Sequence, residues 1–234
     1  MFAWSFLVFS WGIAQSPIGA WESIITVDDQ KIRRVMIFTE ERVITATYDA
    51  VSSGFISVRL EEWKVLGSSE LVLLLEFDSD YPEAYGGEYI APLALQDSVM
   101  TLDEESWTRL DASATNNIAG IWTIIGRRDE TGEMQHRSVD HPRRRYKLLS
   151  DNRFHWLAYN IETRNFSGTG GGSYFLDGDD YIEYIEFLSY DPGYVGDSVR
   201  FKMSLEGDTW IHQGLLGDES TVEEVIDEIW VRLD

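Results

Sequence analysis

The residues with the clearest capacity for chemistry lie in "YIEYIEF" (181–187). Strand alternation puts Tyr181, Glu183 and Ile185 on one face and Tyr184 and Glu186 on the other, so one carboxylate points into the core that the strand bounds. Glu183 is the first choice for that carboxylate and Glu186 the second. A buried carboxylate must be paired, hydrogen-bonded or protonated. Arg143, Arg144, Arg145 and Tyr146 are candidate partners on one segment, His155 and Tyr159 on the next. Such a set can hold the polar head of a ligand, or serve as general acid or base through Glu183 with Tyr184 or His155. A structural ion-pair network is the competing reading.

Other motifs carry less chemistry. "GTGGGSY" (168–174) lacks the Gly-Lys-Ser/Thr ending of a phosphate cradle and reads as a glycine-kinked strand or bulge. "DGDD" (177–180) lacks the spaced oxygen ligands of a calcium loop and reads as a hairpin turn. His155 and His212 have no His-x-His or His-x-x-x-His spacing, and His136 and His141 fall in a polar insertion. They read as surface or hydrogen-bonded histidines, so no metal and no cofactor is expected. No catalytic motif emerges.

The elements that must position these residues are strands. In "SVRFKMSLEG", Val199, Phe201, Met203 and Leu205 oppose Arg200, Lys202, Ser204 and Glu206; in "RFHWLAYN", Phe154, Trp156 and Ala158 oppose His155, Leu157 and Tyr159. Both are the pattern of half-buried antiparallel strands. "LVLLLEF" (71–77) is apolar on both faces, which a strand or a buried helical turn satisfies. The acidic start of "STVEEVIDEIWVRLD" suggests a short helix before the last strand.

The chain also repeats itself. "GAWESII" (19–25) returns as "GIWTIIG" (120–126), "RRVMIFTEERVITATYD" (33–49) as "RRYKLLSDNRFHWLAYN" (144–160), and "EESWTRLD" (104–111) as "DEIWVRLD" (227–234). A shared start, hairpin and finish in the same order indicate two tandem copies. The expected layout is a leader at 1–15, a degenerate copy at 16–111, a linker at 112–117 and a better-matching copy at 118–234. The second copy is longer, mainly through "RRDETGEMQHRSVDHP" (127–142). Each offers about eight strands, the number that closes an up-and-down barrel around one small ligand or a packed interior. An all-β pair of antiparallel barrels is therefore predicted, a two-sheet sandwich being the alternative.

The net charge of −22 is spread over both copies, −12 in residues 16–116 and −10 in 117–234. That charge repels phosphate backbones, and no basic stripe offsets it, so nucleic-acid binding is not expected. Segment 127–147 holds seven of the second copy's twelve basic residues. It either draws an anionic ligand to that barrel's mouth or balances an acidic neighbour. The uncharged apolar run Phe2–Ala14 has the length of a secretory signal peptide, cleaved near Ala14 or Gln15, and is too short to span a bilayer comfortably. Export to the periplasm or outside the cell follows, with no membrane span after its removal. The sequence contains no cysteine, so stability must come from packing.

These motifs resemble the lipocalin and calycin superfamily, and more closely bacterial exported proteins with a lipocalin-like domain of unassigned function. In that superfamily Gly-x-Trp opens the first strand and an arginine near the last strand crosses the tryptophan ring to close the barrel. The resemblance implies the closing pairs Trp21 with Arg109 and Trp122 with Arg232, an arrangement suited to a weakly hydrated guanidinium. It covers residues 117–234 most fully, through "RFHWLAYN", "GGGSYFLDGDDYIEYIEF", "GDTW" and the final Trp-x-Arg-Leu. The expectation is a carrier that holds a small apolar or amphipathic molecule in the second barrel. Its candidate ligand residues are Trp122, Arg145, His155, Trp156, Tyr174, Glu183 and Trp210, with Phe154 and Phe187 also available for lining. The alternatives are an enzyme using an interior glutamate and an envelope module with packed barrels that binds other proteins.

Overall fold

The computed structural model describes residues 16–111, 116–129, 131–218 and 221–233. The expected leader, and residues 112–115 of the expected linker, lie outside the described residues. The first copy supplies β1 (Gly19–Val27), β2 (Gln30–Phe38), β3 (Arg42–Asp49), β4 (Phe55–Leu66), β5 (Glu70–Asp78), β6 (Glu88–Gln96), β7 (Val99–Leu102) and β8 (Glu105–Arg109). Each strand pairs with the next and β1 pairs with β8, closing an antiparallel up-and-down barrel.

The second copy supplies β9 (Gly120–Arg128), β10 (Met134–His136), β11 (Arg143–Leu149), β12 (Arg153–Asn160), β13 (Phe166–Asp177), β14 (Asp180–Leu188), β15 (Ser198–Glu206), β16 (Thr209–Asp218) and β17 (Thr221–Arg232). Here β9 joins β17 to close an eight-strand barrel, and the short β10 adds to β9 alone. Closure removes the exposed edges that a sandwich would leave. "LVLLLEF" is strand β5, and the acidic start of the last segment is strand rather than helix. The reason is β16, which pairs β17 from Thr209 against Val231 to Asp218 against Thr221. Partner pairing overrides the local acidic pattern.

Both Gly-x-Trp motifs have a steric cause. Gly19 has φ +119° and Gly120 φ +132°, a region that L side chains avoid. A Cβ on Gly19 would stand 2.6 Å from Arg109 Nη1. That guanidinium lies 4.0 Å from the centre of the Trp21 ring and donates to the Ile18 and Ser16 carbonyls. In the second barrel Arg232 lies 4.4 Å from the Trp122 ring and donates to the Ala119 and Asn117 carbonyls.

The outer faces of β2, β3 and β5 pack against those of β11, β12 and β14, forming a third core between the barrels. Its contacts come in pairs related by a pseudo-twofold axis. Phe55 stacks on Phe166, the residue that matches it in the repeat, with ring centres 5.7 Å apart. Tyr48 stacks on Phe187 at 4.9 Å, and Tyr159 meets Phe77 at 4.6 Å. Glu76 accepts from Arg42 and from the Tyr159 hydroxyl, while Glu186 accepts from Arg153, Arg33 and the Tyr48 hydroxyl. Register shifts in β4–β5 and β13–β14 put these glutamates at bulges, so each aims outward together with the phenylalanine that follows it. Two similar units thus meet as the halves of an isologous dimer meet.

Candidate functional site

The barrels differ most at the seam between their first two strands. In the first, β1 and β2 pair along their whole length, from Gly19 against Phe38 to Val27 against Gln30. In the second, β9 pairs with β11 only from Gly120 to Thr123, after which β10 takes over at Gly126 to Arg128. The insertion between β9 and β11 wedges this seam apart. Arg137, in the insertion, is fixed at the gap by donating its backbone NH to Ile125 O at 2.9 Å and its Nε to Ile124 O at 3.0 Å.

The gap is a cavity of about 380 Å³ bounded by Ile124, Gln135, Arg137, Arg143, Arg145, Trp156 and Tyr190. It falls within the usual size range of small-molecule sites. Behind it lies an inner chamber of about 70 Å³ that shares Arg145, Trp156 and Tyr190 and reaches Lys147, Glu183, His212 and Glu228. Glycines on β13 make room for this wall. A Cβ on Gly170 would come within 2.6 Å of Leu188 and 2.9 Å of the Trp156 indole nitrogen, and one on Gly172 would overlap the Tyr184 carbonyl.

Two charge networks line the inner chamber. Lys147 Nζ meets Glu183 Oε1 at 2.6 Å, with both side chains buried. The same ammonium lies 5.1–5.9 Å from the ring centres of Phe154, Tyr181, Phe201, Trp210 and Trp230, an aromatic box that replaces lost hydration. Glu228 accepts from Arg145 at 2.8 Å, from His212 Nε2 at 3.1 Å and from the Trp230 indole at 3.2 Å. Burial alone would push the Glu228 carboxyl up, but Arg145, His212 and Lys147 together hold it well below the ordinary carboxylate range. Burial, joined by Lys147, pushes His212 down against the upward pull of Glu228, keeping it a neutral donor.

The ligand residues expected from the sequence separate into three groups. Arg145 and Trp156 line both cavities, and Glu183 lines the inner one. Trp122, Tyr174 and Trp210 belong to the packed core of the second barrel with Phe154, and they do not line the cavity. Tyr174 donates to the Ser150 carbonyl and Trp122 to the Ile118 carbonyl. His155 stands on the outer face, bonded to Thr169 Oγ1 at 2.8 Å and packed edge-on against Phe187, which itself faces the first barrel. Burial depresses His155 to about 3.

Glu183 therefore converges with neither of the partners considered for acid–base chemistry, since Tyr184 is exposed and His155 points outward. Its ammonium partner, Lys147, is not among the partners that the residue pattern suggests, because lysine is ordinarily a surface residue. Alternation from Arg145 along β11 does place Lys147 on the same face, and alternation back from Trp230 along β17 places Glu228 there. Arg137 has no such signal, because it follows the short β10 in an insertion without strand period. Among the described residues no group of three or more acidic or histidine side chains is placed to hold a metal ion.

Residues 117–234 of the 234-residue chain match a domain of unknown function (DUF4488), and the chain belongs to that family. No curated protein matches the chain.

Proposed function

We propose that this member of the DUF4488 family is an exported, lipocalin-like binding protein whose second barrel takes up a small amphipathic molecule. The opened β9–β11 seam carries the reading. It joins a cavity of about 380 Å³ to the barrel interior, and both sides of it combine aromatic surface with fixed polar groups. An apolar molecule alone fits less well, since arginines bound the cavity and the inner chamber is charged. Export rests on the uncharged apolar run Phe2–Ala14.

The test uses 1-aminoanthracene, a neutral fluorophore of suitable size. Titrated into the full chain, it is expected to give saturable, blue-shifted emission with one site per chain. Trp156→Ala is expected to abolish that signal. Thr45→Ala, at the matching position of the first barrel, is expected to leave it unchanged. Emission that never saturates, or that survives Trp156→Ala, would overturn the assignment.

A further inference from the structure

We propose, resting on that binding reading, that the seam cavity recognises a compact organic oxyanion, a carboxylate or phosphate ester carried on a small apolar or aromatic body. Arg137, Arg143 and Arg145 converge on the cavity from the insertion, from the start of β11 and from its middle. Among the described residues only Arg145 of the three has a carboxylate in an ion pair, Glu228, and that carboxylate is already shared with His212 and Trp230. Arg137 is held by backbone carbonyl alone, and Arg143 is exposed at the rim with no ion pair among the described residues. In a chain of net charge −22, three arginines gathered with one carboxylate between them are a local excess of the opposite sign.

Burial and the neighbouring guanidiniums of Arg145 and Arg143 pull Arg137 down to about 10, against the opposing pull of Glu228. A cation under that pressure gains from an incoming negative charge. Guanidinium forks suit the paired oxygens of carboxylate and phosphate groups. The body of the ligand has a defined place as well. Trp156 and Tyr190 lie 6.1 Å apart between ring centres at the junction of the two chambers, and Arg145 covers Trp156 at 5.1 Å. The inner chamber, about 70 Å³ and lined by two ion pairs, has no room for a long alkyl tail. The ligand is therefore compact, with its oxyanion at the arginines and its flat or short body against the two rings.

Isothermal titration of the full chain with benzoate, phenyl phosphate, inorganic phosphate and the uncharged isostere benzamide separates the possibilities. Benzoate or phenyl phosphate is expected to bind at least tenfold tighter than benzamide, and the stronger of the two identifies the head group. Arg137→Gln with Arg143→Gln is expected to erase that preference while leaving benzamide binding in place. Arg143→Gln alone, at an exposed rim position, is expected to lower it severalfold and provides the test if the double variant does not fold. Benzamide binding as tightly as the anions would overturn the anion assignment and leave the binding reading standing. Inorganic phosphate binding as tightly as phenyl phosphate would overturn the organic part. No binding by any probe, with 1-aminoanthracene also failing to bind, would remove the binding reading and this inference with it.

Discussion

The two barrels share a frame and differ in what fills it. Both keep an arginine across the opening tryptophan, Arg109 over Trp21 and Arg232 over Trp122. Both also keep an arginine–glutamate pair beside the closing tryptophan, Arg34 with Glu105 by Trp107 and Arg145 with Glu228 by Trp230. The matched strand registers then diverge. Met36, Leu73 and Leu102 of the first barrel stand where Lys147, Glu183 and His212 stand in the second. In the first barrel Arg59 instead binds both Glu61 and Asp78. Burial raises the Glu61 carboxyl there against the opposing pull of Arg59. Gly170 and Gly172 occupy the Arg59 and Glu61 positions in the second barrel, so that ion-pair cluster has no counterpart there. On the proposed reading one copy is a packed companion and the other a vessel, although the same Gly-x-Trp frame builds both.

The sharpest way to break this contrast is to remove one charge from the vessel. Glu183→Ala strands a buried ammonium and is expected to cost about 3–5 kcal/mol in urea unfolding. Leu73→Ala at the matched site creates a cavity and costs about 2–5 kcal/mol. The distinguishing result is rescue. Lys147→Met with Glu183→Leu, which writes the first barrel's residues into the second, is expected to restore wild-type stability or exceed it, because a buried ion pair adds little over well-packed apolar groups. Failure of the double change to rescue would mean that the pair does more for the fold than its aromatic box implies.

A smaller effect sharpens the comparison at the interface. His155 and Ile44 are matched outer-face residues, and only His155 titrates. Its folded value is depressed to about 3. The unfolded chain therefore binds the proton first as pH falls below about 6.5. The His155 contribution is fully present above that pH and is lost progressively toward about pH 3, with a slope of up to about 1.4 kcal/mol per pH unit. His155→Ile is expected to flatten the fall in unfolding free energy between about pH 6.5 and 4.5. An unchanged slope would place the acid sensitivity elsewhere.

Much of this frame is legible in the residues. Alternation and the repeated Gly-x-Trp and Trp-x-Arg-Leu-Asp segments carry the strand content, the duplication and the barrels, since period and turn chemistry are local signals. Local signals also turn one of Glu183 and Glu186 inward, with Glu183 preferred, and make "GTGGGSY" a glycine-kinked strand or bulge. What they do not reveal depends on pairing at a distance. The bulges after Ile185 and Leu75 turn Phe187 and Phe77 outward, so Phe187, which reads as lining, faces the other barrel. His155 is a different case: alternation already separates it from Trp156, which puts the barrel wall between it and the cavity. The open seam follows from how far β9 and β11 pair before the insertion parts them, a length that no single segment encodes.

The most direct measurement is native mass spectrometry of the protein isolated from its own cells. The account predicts a discrete small-molecule adduct at one per chain, lost in Trp156→Ala and retained in Thr45→Ala, on a protein whose mass lacks about the first fifteen residues. A folded, monomeric chain that carries no adduct, or an adduct displaced by the change in the first barrel, would contradict the claim that the second barrel alone is the vessel.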